Sequence, residues 1–463
     1  MAMDSITRRR FLSAAAAGGV LYAFGRTPGI AVAQAAGGSG QFSDYKALVC
    51  VFLVGGNDSW NMVVPTSATE YATYASTRQN MAIAQASLLP ISPLVSDGAT
   101  YGFHPSMPGA AALFNQGQLA VVANLGPLIT PTTKAQYQAQ SVPLPPQLFS
   151  HLDQQNQWHS LQGKATLKTG WAGRIADLLA AATTSQTLPL NLSLAGQTFY
   201  EAGASTVPYV MGTTGPVAFA GLGTSGTAAA RRQSFLNIAN ATYGTAYERV
   251  FAQVEQRALQ YANEVNQAIA SAPSLAALPD NPPAGSTLGK PLSLQLRTVA
   301  KLIASRAQLN VQRQVFFVAL GGFDTHDNQL ADQPGLLDQV STALQAFYEA
   351  TVELGVSQSV VTFTESDFAR TLTSNGDGTD HAWGGLHLVV GGAVKGQTIY
   401  GHYPSMQIGG PLDVGAGRLI PDFAVDQYAA TLARWFGVAA SDLPSVCPSL
   451  GNFVQQDMGF LSS

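Results

Sequence analysis

Charge is scarce in this chain: Asp, Glu, Lys and Arg make up 11% of its 463 residues, against roughly 25% in an ordinary soluble domain. The charges that exist nearly cancel, 23 basic against 27 acidic, for a formal net charge of -4. That balance leaves no electrostatic footprint for nucleic acid or an anionic membrane surface. Cysteine is scarcer still. Cys50 and Cys447 are too few for a disulfide scaffold and too far apart for a CxxC zinc or redox motif, which leaves one long-range bridge or two buried thiols. Long apolar runs are also missing, since no stretch beyond the N-terminus reaches the ~18 uninterrupted apolar residues of a spanning helix. Glycine and proline are plentiful, at 46 and 25 residues. In a chain long enough for a large core they predict a loop-rich globular protein.

The N-terminus carries three signals in order. A basic cluster, Arg8-Arg9-Arg10, precedes a short Gly/Ala-rich apolar stretch from Phe11 to Phe24, and small residues follow at Ala31-Val32-Ala33. Thr7 to Leu12 has the form of a twin-arginine export motif. Residues 1–33 are therefore expected to be a signal peptide, and residues 34–463 a domain without a membrane span, delivered to the periplasm or secreted.

Short β-branched apolar runs recur along the rest of the chain: Ala47 to Val54, Leu119 to Ala123, Val315 to Leu320, Ser359 to Thr364 and Leu388 to Val390. Their continuous apolar character predicts strands buried on both faces of a largely parallel sheet. Helical patterns at Trp171 to Ala182, Leu292 to Asn310, Gly335 to Leu354 and Asp426 to Phe436 alternate with them. Strands alternating with helices predict an α/β fold, a doubly wound α/β/α sandwich. Residues 227–289 read as a helical insertion ending in a Pro-rich loop.

Ligands of open α/β sheets bind beyond the carboxyl ends of the strands, and there the scarce charged residues gather. Gly55-Gly56-Asn57-Asp58 follows the first run, Gly321-Gly322-Phe323-Asp324-Thr325-His326 the third, and Glu365-Ser366-Asp367 the fourth; a loop then brings Asp380-His381. Clustered carboxylates and imidazoles without a thiolate suit a divalent ion such as Zn²⁺, Mg²⁺, Ca²⁺ or Mn²⁺. Asp58, Asp324, His326, Glu365, Asp380 and His381 are the candidate ligands. Asp324 and His326, two apart, would share one side of an extended backbone, whereas the adjacent Asp380 and His381 would converge only in a turned loop.

The motifs GGND with SWNMVVP, GGFDTHDNQ, FTESDFART, GTDHAWGG and GGAVKGQTIYG, with LARWFGV and MGF near the C-terminus, resemble the exported bacterial family called domain of unknown function 1501. The resemblance spans nearly the whole chain after residue 33. It implies the alkaline phosphatase and sulfatase superfamily: an alkaline phosphatase-like α/β/α sandwich with a metal site at the strand ends. The superfamily pattern maps onto Asp58 or Asn57, onto Asp324 with Asn328 at the spacing where a histidine is usual and His326 two residues earlier, onto Glu365-Ser366 where an Asp-His pair is usual, and onto His381. Its nucleophile sits at a helix start, for which Ser59, Ser106 and Ser150 are candidates and Ser150, in Leu148-Phe149-Ser150-His151-Leu152-Asp153, is preferred; Arg370 and Lys395 are the candidates for balancing charge on an anionic substrate. The sulfatase context Cys-x-Pro-x-Arg is missing around Cys50. Two functions fit: a metal-dependent hydrolase of phosphate or sulfate esters acting on a small-molecule ester or cell-envelope glycan, and a non-catalytic cell-envelope binding protein on the same fold.

Overall fold

The computed structural model describes residues 42–161, 169–184, 186–216, 221–223, 225–241 and 246–462. The signal peptide expected at residues 1–33 lies outside them.

Strand β1 (Lys46–Val54) sets the architecture, because its alternate side chains enter two different cores: Val49, Val51 and Leu53 one, Leu48, Cys50 and Phe52 the other. A strand with no face toward water needs no polar alternation, which is why its sequence is a continuous apolar run. The chain continues through β2 (Leu119–Gly126), β3 (Asn191–Ser193), β4 (Tyr209–Val210), β5 (Arg313–Gly321) and β6 (Val360–Ser366). A hairpin of β7 (Arg370–Ser374) and β8 (Thr379–His381) follows, then β9 (Gly385–Val390), β10 (Thr398–Tyr400) and β11 (Phe423–Ala424).

Among the described residues nine strands form one sheet in the order β10-β2-β9-β6-β1-β5-β3-β4, with β11 alongside β2. The pairs of β1 with β5 and β6, of β3 with β4 and β5, and of β2 with β10 and β11 are parallel. Only β9 runs against its neighbours β2 and β6. It is reached from β6 through the β7–β8 hairpin, without a crossover helix, and a connection of that kind returns the chain antiparallel.

The main helices are, in chain order, α1 (Ala68–Arg78), α2 (Pro108–Asn115), α3 (His151–Ser160), α4 (Trp171–Leu179), α5 (Gly226–Ala239), α6 (Ala246–Ser271), α7 (Pro291–Ala304), α8 (Gln329–Glu353) and α9 (Val425–Phe436). Phe114 of α2, Leu296 and Val299 of α7, and Leu337 and Val340 of α8 share the core with Val49 and Val51. Trp158 of α3, Trp171 and Ile175 of α4, and Tyr428 and Leu432 of α9 share the core with Leu48 and Cys50. The result is a three-layer α/β/α sandwich with a largely parallel sheet. Cys50 and Cys447 are both buried and unpaired, which leaves them as thiols. Helices α5 and α6 occupy most of residues 227–271, and an irregular stretch leads from there to α7.

Candidate metal centre

The carboxyl ends of β1, β5 and β6 open onto one edge, and the loops leaving them are held together by tight backbone contacts. Gly55, at the end of β1, has φ +117°, and a Cβ there would lie 2.4 Å from the Asp324 amide nitrogen. Only glycine combines that conformation with that approach. Phe323 donates its N–H to the Val54 carbonyl at 3.1 Å, while successive short turns, Thr325 N–H to Phe323 O and His326 N–H to Asp324 O, coil the loop after β5. Asp324 and His326 thus meet through a coiled loop, with His326 Nε2 3.2 Å from Asp324 Oδ1. Gly378 lets the β7–β8 hairpin lie on this loop, since a Cβ at that position would strike the His326 carbonyl oxygen at 2.2 Å.

The hairpin brings Asp380 and His381 on strand β8, not in the turned loop expected. Their convergence runs through His326, whose Nδ1 lies 3.2 Å from Asp380 Oδ1 and whose Nε2 lies 2.8 Å from His381 Nε2. The third imidazole, His151, is the first residue of α3. Its Nε2 is 3.4 Å from Asp324 Oδ2, and His381 Nε2 is 3.3 Å from Asp324 Oδ1. One ligand atom from each of His151, Asp324 and His381 falls within a sphere of mutual distances no larger than 4.8 Å.

What fixes the chemistry is the other side of each ring. His151 Nδ1 is 2.6 Å from Asp367 Oδ2, and His381 Nδ1 is 2.7 Å from the Phe149 carbonyl oxygen. Both partners are acceptors, so each Nδ1 carries the proton, and in the neutral ring Nε2 presents a lone pair. The two lone pairs face the oxygens of Asp324. His326, anchored at Nδ1 by Asp380, points its Nε2 the same way. Lone pairs and a carboxylate facing one another at this range repel unless a cation lies between them, and oxygen-anchored imidazoles are the usual outer support of a metal ligand. The donor set therefore fits a divalent ion, with His151, Asp324 and His381 as ligands and His326 beside them.

Electrostatics follow the same geometry. Burial opposes ionisation of Asp324, but Arg370, and the three imidazoles when protonated, hold its carboxyl below the usual range. Burial likewise opposes ionisation of Asp380, which its hydrogen bond from Asn375 and its contact with His326 overcome. Burial, helped by the neighbouring charges, holds His381 below the ordinary imidazole value, so this ring favours its neutral, ligating form. Arg370 is fully buried with Nη2 3.0 Å from Asp324 Oδ1, yet none of its N–H groups has an aligned acceptor among the described residues. Phe368 closes the side of the centre, its ring stacked on His381 at 4.4 Å and tilted against His151 at 4.8 Å.

Two of the residues read from the sequence as ligands are not brought here. Asp58 is buried and its Oδ2 is taken by Arg78 of α1 and Gln329 of α8, an internal ion pair that locks the loop after β1. Glu365 follows the alternation of β6 onto the face that carries Val361 and Phe363, away from the strand-end loops. It is fully buried, both oxygens lack a partner among the described residues, and burial pushes its pKa up to about 8. Ser150 directly precedes His151, but its hydroxyl donates to Asp153 Oδ2 at 2.7 Å. His151 and Asp367 were missing from the expected set. Their signal was in the two motifs already noted: a histidine at a helix start next to Ser150, and a second carboxylate two residues after Glu365.

No helix among the described residues is long and apolar enough to cross a membrane. No curated protein sequence matches the chain. Similar solved structures include the lipoteichoic acid synthase LtaP from Listeria monocytogenes, 9% identical with a TM-score of 0.34, covering 86% of this chain and 73% of that one. Another is the soluble domain of lipooligosaccharide phosphoethanolamine transferase A from Neisseria meningitidis, 7% identical with a TM-score of 0.32, covering 92% of this chain and 96% of that one. Residues 45–411, most of the chain, match the family described as protein of unknown function (DUF1501), and the chain belongs to that family.

Proposed function

We propose that this chain is an exported, metal-dependent hydrolase of phosphate or sulfate esters. The observation that carries the reading is the convergence of His151 Nε2, His381 Nε2 and the Asp324 carboxylate, with each imidazole anchored at Nδ1 by an oxygen. A donor set rich in imidazole suits a borderline ion such as Zn²⁺ or Mn²⁺ better than Mg²⁺ or Ca²⁺, which prefer all-oxygen shells. Such an ion supplies a Lewis acid for the ester oxygen and lowers the pKa of the attacking hydroxyl. Around it Asp367 holds His151 in one tautomer, and the Phe149 carbonyl does the same for His381. Arg370, a positive charge buried beneath Asp324, balances negative charge that develops on the ester oxygens. The resemblance to the alkaline phosphatase and sulfatase superfamily supports the same chemistry. The twin-arginine motif supports action outside the cytoplasm.

A binding protein on this fold is the second reading. The Ser150–Asp153 hydrogen bond favours it, because it occupies the hydroxyl assigned as nucleophile. The test is an ester panel: phosphomonoesters, phosphodiesters and sulfate esters assayed with Zn²⁺, Mn²⁺, Mg²⁺ and Ca²⁺ on protein exported by its host. Hydrolysis predicts turnover that falls at least about 100-fold in Asp324→Ala. In Ser150→Ala, a comparable fall assigns the serine as nucleophile, and near-normal turnover assigns water. A fully metallated sample that turns over nothing in the panel overturns the hydrolase and leaves the binding reading.

A further inference from the structure

A pocket of about 350 Å³ opens in the segment from Tyr137 to Phe149, with Gln138, Gln140, Leu144 and Leu148 among its walls. Its size is at the lower end for small-molecule sites, roughly 300–1,000 Å³, which leaves room for one small organic group. One residue joins it to the metal centre. Phe149 lines the pocket, and its carbonyl oxygen is the acceptor that anchors His381 at 2.7 Å. Phe149 adopts φ 74°, a left-handed conformation that a bulky residue holds only under constraint. The Arg418 guanidinium lies 5.2 Å from its ring centroid and also donates to the His381 carbonyl, tying the pocket wall to strand β8.

The lining is chemically selective. No charged side chain is among the lining residues, and the charge against its wall is the cationic Arg418 on the Phe149 ring, so an ammonium group would find no counter-charge there. Tyr137 offers a phenol, Gln138 and Gln140 offer amides with donors and acceptors, and Leu144, Leu148 and Phe149 supply apolar surface. An alkyl chain would gain nothing from the exposed amides and would leave the half-buried phenol unanswered. A polyhydroxylated ring satisfies both kinds of wall, with hydroxyls on the amides and C–H faces on the aromatic and aliphatic surface.

We propose that this pocket is a subsite for the uncharged sugar residue that bears the ester, an assignment that rests on the ester-hydrolase reading above. The probes are glucose, galactose and N-acetylglucosamine, with adenosine as a flat heterocyclic control, followed by saturation-transfer NMR on the full chain with and without EDTA. At least one sugar should receive saturation, and the Kd from its titration should rise about tenfold, equivalent to ~1.4 kcal/mol, in the exposed double variant Gln138→Ala/Gln140→Ala. Tyr137→Phe, which keeps the ring and removes the hydroxyl, should weaken binding less. In turnover, the double variant should raise KM for N-acetylglucosamine 6-phosphate more than for para-nitrophenyl phosphate. No transfer to any sugar, transfer to adenosine alone, or a Kd unchanged in the double variant overturns the subsite. Turnover of para-nitrophenyl phosphate without sugar binding overturns the subsite and spares the hydrolase; sugar binding without any ester turnover does the reverse.

Discussion

An imidazole has one lone pair to give when neutral, and whatever binds its other nitrogen decides where that pair points. Asp367 makes this choice for His151, and it is itself fixed by the Gly55 N–H at 3.1 Å and the Gln155 amide at 2.9 Å. Replacing it with Asn keeps the shape and removes the charge. Asp367→Asn is expected to weaken metal affinity 10- to 100-fold, measured by competition with a chromophoric chelator; an affinity equal to wild type would remove Asp367 from the positioning role. Asp324 touches all three imidazoles and Arg370. Asp324→Ala should abolish stoichiometric metal in elemental analysis, and retention of metal at the wild-type ratio would show that the ion is held elsewhere.

Between elements, the centre depends on how closely three loops approach. Gly55→Ala would place a methyl 2.4 Å from the Asp324 amide in a backbone region L-residues avoid. The conformation alone costs about 1–3 kcal/mol, so chemical denaturation should show at least that loss, together with weaker metal binding. A destabilised variant with undiminished metal affinity would mean that Asp324 is not positioned by this contact. Helix α8 gives a second example of tertiary control. The sequence pattern starts it at Gly335, after Pro334, yet it begins at Gln329. Its first turn is pinned from outside: the Gln329 N–H bonds to the Asp377 carbonyl, and the Gln333 amide bonds to the Asp58 carbonyl. With Pro334 near the N-terminal end, few intrahelical bonds precede it, and the missing N–H interrupts little.

Across the whole molecule, buried titratable groups define a pH window of stability. Burial pushes Glu365 up to about 8 and Asp426 up to about 7, so the fold binds these protons more tightly than the unfolded chain does. Their contribution is whole below the unfolded values, near 4, and is lost as pH rises through 7 and 8. Burial pushes His159 and His387 down to about 3 from an ordinary 6.5; their contribution is whole above 6.5 and is lost as pH falls toward 3. Melting temperature should therefore plateau in mildly acidic buffer and fall on both sides. Glu365→Gln should flatten the fall between pH 6.5 and 8.5, and a variant curve running parallel to wild type there would exclude Glu365 as its source. The sequence alone determined the α/β class, the main strands and helices, and the return of charge at the strand ends, because burial on two faces and helical periodicity are written in local residue order. Asp324, His326, Asp380 and His381 stood out in the sequence because scarce charged residues gather after the apolar runs, and the structure places these four side by side. Tertiary structure alone decided that β9 runs antiparallel, that Asp58 pairs with Arg78, that Glu365 turns into the core, and that His151, held by Asp367, lies against Asp324. Those outcomes depend on strand register and on side chains such as Asp58 and Arg78 or His151 and Asp367, which lie far apart in sequence and meet only when the loops dock.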